Sequence, residues 1–456
     1  MYLQDTIAAI STPCGEGGIG VIRISGPLSQ QILTSLFIRK NNGGFSSHRF
    51  YYGQVIDTAT SNFIDEALAV YMRAPNSFTR EDVVEIQCHS GTVVMQQVLS
   101  LVLRAGARLA EPGEFIRRAF LNGRIDLLQA EAVIDLIRAK TDTAAAVANN
   151  ARAGMLSKAI FSAQSDLKNA LALVEAYIDF PDEDIQVADS TALTAFIDSA
   201  YATASRLLAT FDEGRHIRDG VSVMIAGKPN VGKSSLLNAL LQEKRAIVTS
   251  VPGTTRDFIE EVLNINGLPV RLLDTAGIRA STDPVEAEGI KLSIERVASA
   301  DLVIFLMDGS RPFDADDMLV YDAIKDSRYV RVINKSDLPI ALSIPDVLPS
   351  VTTISISTLA SDTLADLKNL VANTFLHGKA TDSREEVFIN KARHRDLLYS
   401  VATILERYSK AKGDFAPDEL LAVDLRDALH LLGQVSGATT PDDILDIIFS
   451  QFCIGK

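Results

Sequence analysis

Residues 227–240 read GKPNVGKSSLLNAL. Gly227, Gly232, Lys233 and Ser234 fit the pattern G-x-x-x-x-G-K-[ST]. The apolar run VSVMIA (221–226) precedes it and the apolar-periodic SLLNALL (235–241) follows. Strand, glycine-rich loop and helix in that order predict a phosphate-binding loop. Glycines let backbone amides approach phosphate oxygens, Lys233 brings a cation to the outer phosphates, and the Ser234 hydroxyl can ligate magnesium. Downstream, PVRLLDTAG, ADLVIFLMDGS, RYVRVINKSD and TTISIST are compact apolar runs separated by helix-length segments. That alternation predicts a parallel sheet wrapped by helices.

Three further segments complete a guanine-nucleotide site. In DTAG (274–277), Asp274 is the carboxylate expected to reach magnesium through its bound water and Gly277 can offer its amide to the terminal phosphate, with Thr275 and Ala276 between them. In NKSD (334–337), the Asp337 carboxylate can accept two hydrogens from guanine, a pattern adenine does not offer, with Asn334 and Lys335 beside it. The nucleotide expected is GTP. In TSVPGTTRD, Thr255 is the natural switch threonine for magnesium and the terminal phosphate. Ile278 follows Gly277, so the water-orienting glutamine of many small GTPases is absent and hydrolysis needs another device. Ser357, Thr358 and Leu359 stand where a base-contacting loop usually reads Ser-Ala-Lys.

The rest of the chain bounds the class. At 456 residues it exceeds one core, so two or three domains are expected. A formal net charge of -14 argues against a broad nucleic-acid footprint, so any RNA contact is local or shared with a partner. Cys14, Cys88 and Cys453 are too few and scattered for a disulfide framework, and fit a reducing compartment. The start carries no secretory pattern, and no run of about 18 apolar residues suggests a membrane span. A cytoplasmic protein is expected.

Up to about residue 118, GVIRIS, EALAVYM, VVEIQC and VVMQQVLSLVL read as a mixed α/β domain. From 119 to 215 apolar residues recur at helical spacing, as in Leu127, Val133, Ile134 and Ile137, with a break expected at Pro181. The α/β texture occupies 216–376, and helices resume over 377–456. The organisation expected is a helical domain interrupted by an α/β domain whose two ends lie close together.

These residues, read with DTIAAISTPCGEGGIGVIRISG (5–26), NSFTREDVVEIQCHSG (76–91), EPGEFIRRAFLNGRIDLLQAEAVIDLI (111–137) and DDILDIIFSQFCIGK (442–456), resemble the tRNA-modification GTPase family MnmE, also called TrmE. The resemblance covers nearly the full length. It implies an N-terminal α+β domain that binds folate and dimerises, a helical domain, and an inserted Ras-like GTPase domain with a doubly wound, mostly parallel sheet. It also implies a homodimer, a heterotetramer with the flavoprotein MnmG (GidA), and addition of an aminomethyl-type group, carboxymethylaminomethyl included, at C5 of the wobble uridine of tRNA.

The same resemblance supplies a hydrolysis device. It implies a potassium ion held by Asn230, Thr249, Val251 and Thr254, where it can neutralise developing charge in place of an arginine finger. Glu286, in DPVEAEG, would position the attacking water. The nucleotide site then comprises Gly227, Asn230, Val231, Gly232, Lys233, Ser234, Ser235, residues 249–255 (Ser250, Pro252 and Gly253 among them), 274–277, Asn334, Lys335, Asp337 and 357–359. Ser250 replaces an aspartate common in the potassium loop. Folate, as 5,10-methylenetetrahydrofolate or a related reduced form, is implied at Arg23, Glu85, Arg124 and Lys456. Cys453 has either a role near the one-carbon chemistry or that of a buried structural cysteine; Cys14, Cys88 and the histidines read as structural. The rival readings are a ribosome-assembly GTPase, for which a basic RNA-binding module is lacking, and a folate-binding scaffold with a silent GTPase domain, which the intact nucleotide motifs disfavour.

Overall fold

The computed structural model describes residues 5–13, 15, 17–40, 43–179, 188–242, 262–273, 297–376, 386–414 and 417–455. Expectations for Cys14, Pro181, residues 249–255 and 274–277, Glu286 and Lys456 lie outside them.

The N-terminal part is built on seven strands. In chain order they are β1 (Ile7–Ile10), β2 (Gly20–Ser25), β3 (Phe37–Arg39), β4 (Arg49–Asp57), β5 (Asn62–Met72), β6 (Val83–Cys88) and β7 (Arg108–Leu109), arranged β3-β4-β5-β6-β2-β1-β7. All neighbours are antiparallel except β1 and β7. In GVIRIS the alternation has a direct consequence. Ile22 and Ile24 are fully buried under helices α1 (Ser29–Leu36) and α2 (Thr92–Arg104), so Arg23 emerges on the opposite face, in register with Glu85 of β6. That face is covered near β1 by a small apolar cluster of Ile7, Ala9, Ala110 and Phe115 with Phe78, and Phe115 lies on helix α3 (Glu114–Leu121).

Four long helices form a second body: α6 (Met155–Asp179), α7 (Ala188–Ala209), α12 (Ala392–Gly413) and α13 (Asp418–Ser436). Each touches two of the others, α6 with α7 and α13, and α12 with α7 and α13, which closes a bundle around one core including Leu167, Leu207, Leu405 and Leu432. Two of these helices precede the nucleotide motifs in sequence and two follow them. Neither pair buries its apolar stripe alone, so the bundle requires both segments.

The third body interrupts the bundle. Strands β8 (Val221–Ala226), β10 (Leu268–Leu273), β11 (Leu302–Asp308), β12 (Tyr329–Asn334) and β13 (Thr353–Ser355) are parallel and β9 (Val262–Ile265) is an antiparallel edge, in the order β13-β12-β11-β8-β10-β9. Central β8 and β11 are buried at every residue, as strands covered on both faces must be, and helix α11 (Ser361–Phe375) packs Leu364, Leu367 and Val371 into the same core. The chain enters through α8 (Phe211–Asp219) and leaves through residues 386–391, and these two connections are joined. Ile389 N–H donates to Thr210 Oγ1 at 3.1 Å, and Arg218 donates to the Asn390 carbonyl at 2.9 Å. The expected closeness of the two ends is thus present as hydrogen bonds.

Shorter helices α4 (Leu127–Arg138) and α5 (Asp142–Arg152) lie between these bodies, and α14 (Asp442–Ser450) packs on α3 and α4 through Leu445, Ile448 and Phe449. Of the described helices, none is long and apolar enough to cross a membrane.

Candidate functional site

The loop between β8 and α9 (Lys233–Gln242) holds the first group of expected residues. Val231 is buried, whereas Asn230, Ser234 and Ser235 are exposed. Asn230 adopts a left-handed backbone conformation with φ +62°. Gly232, at φ +102°, lies so close to Asn334 that an added Cβ would stand 2.3 Å from its Nδ2, so a side chain there would break the contact between the two motifs. Lys233 Nζ donates to the carbonyls of Gly227 at 2.7 Å and Lys228 at 2.9 Å, which fixes its ammonium over the loop.

The guanine motif is bound to this loop from the end of β12. Asn334, 1% exposed, donates from Nδ2 to the Val231 carbonyl at 2.8 Å. Lys335 Nζ reaches the Asn230 carbonyl at 3.2 Å and Asp308 Oδ2 at 2.6 Å. Asp308 sits at the buried end of β11, where burial disfavours its charge; Lys335 and Ser310 outweigh that effect and hold the carboxyl below its usual range. Asp337 is exposed, and its Oδ1 accepts from Ser357 Oγ at 2.6 Å. Ser357, at the first position of the irregular loop, is buried and holds the Asp337 carboxylate through this bond. Leu359, 88% exposed, takes the place where a lysine stem is usual. Among the described residues, phosphate loop, guanine motif and Ser357 thus form one hydrogen-bonded group.

Two interactions there had no counterpart in the motif reading. Lys228, a variable position of the phosphate loop, is 7% exposed, and its Nζ lies 2.7 Å from both Asp314 Oδ2 and Asp317 Oδ2. The available signal was FDADD (313–317), an aspartate N-cap with an acidic residue three positions later, which marks the start of helix α10 (Ala315–Ile324).

The second group lies on the N-terminal sheet. Arg23 Nε donates to Glu85 Oε1 at 2.9 Å, its guanidinium stands 5.7 Å from the Phe115 ring centroid, and Nη1 reaches the Gly455 carbonyl at 3.3 Å. Ser11 Oγ donates to the same carbonyl at 3.0 Å. Gly455 has φ +91°, and a Cβ there would meet the Ile10 carbonyl oxygen at 2.3 Å, so only glycine fits this close approach. Gly455 of the tail thus meets the Arg23–Glu85 pair, while Lys456 lies outside the described residues.

Arg124 is linked to this group through Phe78. It donates to the Phe78 carbonyl at 2.9 Å and stands 4.8 Å from that ring's centroid, and Phe78 packs in the cluster that contains Phe115. Burial, followed by the nearby Arg80 guanidinium, lowers its pKa, so two cations share this edge. Cys453 is exposed with its thiol free, which removes the buried-cysteine alternative; Cys88 is buried against Met95 as a packing residue, and burial with the Asp65 charge pushes its thiol up to about 11. His89 pairs with Asp65 at 2.7 Å while staying 72% exposed. His394, by contrast, is buried against Glu131 at 2.7 Å.

A cavity of about 370 Å³ lies apart from both groups, where the two connections meet α4, α5 and α14. Glu131, Asp135, Arg218 and Lys391 line it, and no residue of either group does.

Residues 6–124 match the family model described as the GTP-binding protein TrmE N-terminus, and residues 127–453 match that of the MnmE helical domain. The tRNA modification GTPase MnmE of Geobacter sulfurreducens is 58% identical over 456 residues, with 100% of each chain covered. That of Geobacter metallireducens is 57% identical over 457 residues, and that of Geotalea uraniireducens 54% over 459, again with 100% of each chain covered.

Proposed function

The chain belongs to the MnmE family of tRNA modification GTPases, and on that premise we propose that it couples potassium-stimulated GTP hydrolysis to modification of the wobble uridine of tRNA at C5, with a reduced folate as one-carbon donor. GTP binding and hydrolysis in tRNA modification follow from family membership. The finer reading is supported chiefly by one observation, the docking of Gly455 between Arg23 and Ser11.

In the nucleotide site the residues act as follows. Amides of the phosphate loop and the Lys233 ammonium bind the outer phosphates, while Asp337, oriented by Ser357, accepts from the guanine edge. Exposed Ser234, on the first turn of α9, would hold magnesium together with Thr255, and Asn230 would hold potassium with Thr249, Val251 and Thr254. The cations supply charge compensation when bound. Glu286 orients the attacking water.

In the N-terminal site, Glu85 accepts paired hydrogens from a pterin ring, Arg23 holds that carboxylate in place, and Arg124 with Lys456 offsets the glutamyl carboxylates. We assign residues 1–118 to folate binding and dimerisation, 119–215 and 377–456 to the helical domain, and 216–376 to the GTPase domain. The protein acts in the cytoplasm as a homodimer that joins the flavoprotein MnmG in a heterotetramer. GTP hydrolysis rearranges the GTPase domains and gates the modification.

Mass analysis of wobble nucleosides from cells lacking this protein tests the reading. Loss of the C5-substituted uridine, restored by the intact chain, is expected; an unchanged nucleoside profile would refute it.

A further inference from the structure

Neither nucleotide binding nor hydrolysis, as read above, gives Lys228 a task, yet it is among the most heavily engaged lysines of the described chain. Its side chain ends at the start of α10, where Asp314 is the N-cap: Asp314 Oδ1 accepts from the amides of Asp316 and Asp317, and Asp317 Oδ2 accepts from the amide of Asp314. The Lys228 ammonium bridges the remaining Asp314 oxygen and Asp317 Oδ2, both at 2.7 Å. The Asp317 side chain is 2% exposed, so without that cation it would be a buried charge facing a second carboxylate within one turn. Burial alone favours neutral Lys228, and the two aspartates reverse that and keep it charged.

The backbone of the same residue faces the phosphate site, since its carbonyl takes the Lys233 ammonium at 2.9 Å. A second tie leaves the same acidic segment at its other end, where Asp308 holds Lys335 and Lys335 reaches the Asn230 carbonyl. Segment 308–317 therefore grips the phosphate loop through Lys228 and the guanine motif through Lys335.

We propose that Asp314 and Asp317, through Lys228, brace the phosphate loop, which makes Lys228 a positioning residue for guanine-nucleotide retention. The proposal rests on the nucleotide reading of residues 227–234. Its physical basis is preorganisation: a loop already held in the binding geometry does not have to be ordered when the phosphates arrive. Loss of the brace then appears in how long nucleotide stays, with little effect on the chemical step.

The experiment measures release of N-methylanthraniloyl-GDP by stopped flow, with steady-state GTP kinetics, on the full chain. Lys228→Met should release GDP about tenfold faster, the change a 1.4 kcal/mol loss produces, and raise KM for GTP while kcat stays within about twofold of the unmodified protein. Asp314→Asn, at a half-exposed carboxylate, should accelerate release about threefold, in the range of an exposed ion pair. The double variant should be no faster than Lys228→Met alone, because the two act as a unit. Release within twofold of the unmodified protein by a folded Lys228→Met, or additive effects in the double variant, would overturn the brace. If Lys228→Met does not fold, Asp314→Asn decides alone: faster release supports the brace and unchanged release overturns it. Failure of the unmodified protein to bind GDP would instead bring down the nucleotide reading, and this proposal with it.

Discussion

Arg23 and Gly455 are 432 positions apart in sequence and meet at 3.3 Å, guanidinium to carbonyl. The contact ties the last described residue of the chain to the central strands of the N-terminal sheet, beside the Glu85 carboxylate. A tail of this kind is either a clasp or part of a site. Its removal distinguishes the two.

Deletion of residues 453–456 is expected to weaken binding of a reduced folate and abolish wobble-uridine modification, with GTP hydrolysis near normal. Gly455→Val should do the same without shortening the chain, because its Cβ would meet the Ile10 carbonyl. Folate affinity measured by calorimetry should fall at least about tenfold, a loss of roughly 1.4 kcal/mol. Full modification by the truncated protein would contradict a site at the tail. Since Cys453 is exposed, Cys453→Ser then separates roles: folate binding kept with modification lost points to the thiol, and both kept leaves it without a part in the reaction.

Turnover should be faster in potassium than in sodium. Asn230→Gly is the informative variant, because glycine adopts the same left-handed backbone and only the side chain is lost. It should retain GTP binding and lose the potassium response. Glu286→Ala should leave affinity nearly intact while lowering turnover by roughly 10²- to 10⁴-fold. Equal rates in the two salts, or affinity lost in step with turnover, would reject these roles.

Base specificity should follow Asp337. Asp337→Asn is expected to weaken GTP binding and favour xanthosine triphosphate, since xanthine has an oxygen where guanine has its amino donor. Ser357→Ala should cost about 1 kcal/mol of GTP affinity without changing base preference, because it removes only the hydroxyl that orients the carboxylate. Competition binding with both triphosphates checks each, and a Ser357→Ala that changes preference would reassign that loop to base reading.

Acid should destabilise the helical domain through Glu131 and His394. His394 Nε2 lies 2.7 Å from Glu131 Oε2, with the imidazole N–H donating to the carboxylate. Burial, aided by Arg393 and Lys391, holds the His394 pKa below its ordinary 6.5, although Glu131 opposes this. As pH falls through 6.5 the unfolded chain takes up a proton that the folded chain resists, so stability is lost. Burial disfavours the Glu131 charge, but His394, Lys391 and Arg393 outweigh it and hold the carboxyl far below 4.5, so its contribution is also lost as pH falls below that value. One such proton changes stability by at most about 1.4 kcal/mol per pH unit. His394→Gln keeps an N–H for Glu131 and cannot titrate, so its urea midpoint should vary less between about pH 7 and about pH 5, where histidine titrates, than that of the unmodified chain. Parallel pH profiles would exclude His394 as the source.

The phosphate loop, the guanine motif and the alternation that puts Arg23 opposite Ile22 and Ile24 are legible in the sequence because each is a contiguous pattern with a local cause: glycine torsions, a fixed order of donors and acceptors, a period of two along a strand. Periodicity likewise announces the helices. It cannot say that α6 and α7 close a bundle with α12 and α13 across the whole GTPase insertion, since an apolar stripe specifies burial and leaves its partner open. Single charged residues are the extreme case. Lys228 with Asp317, His394 with Glu131 and Arg23 with Gly455 are ordinary residues in a linear reading, and their pairing arises only where packed elements bring them within about 3 Å and exclude the water that would otherwise solvate each one separately.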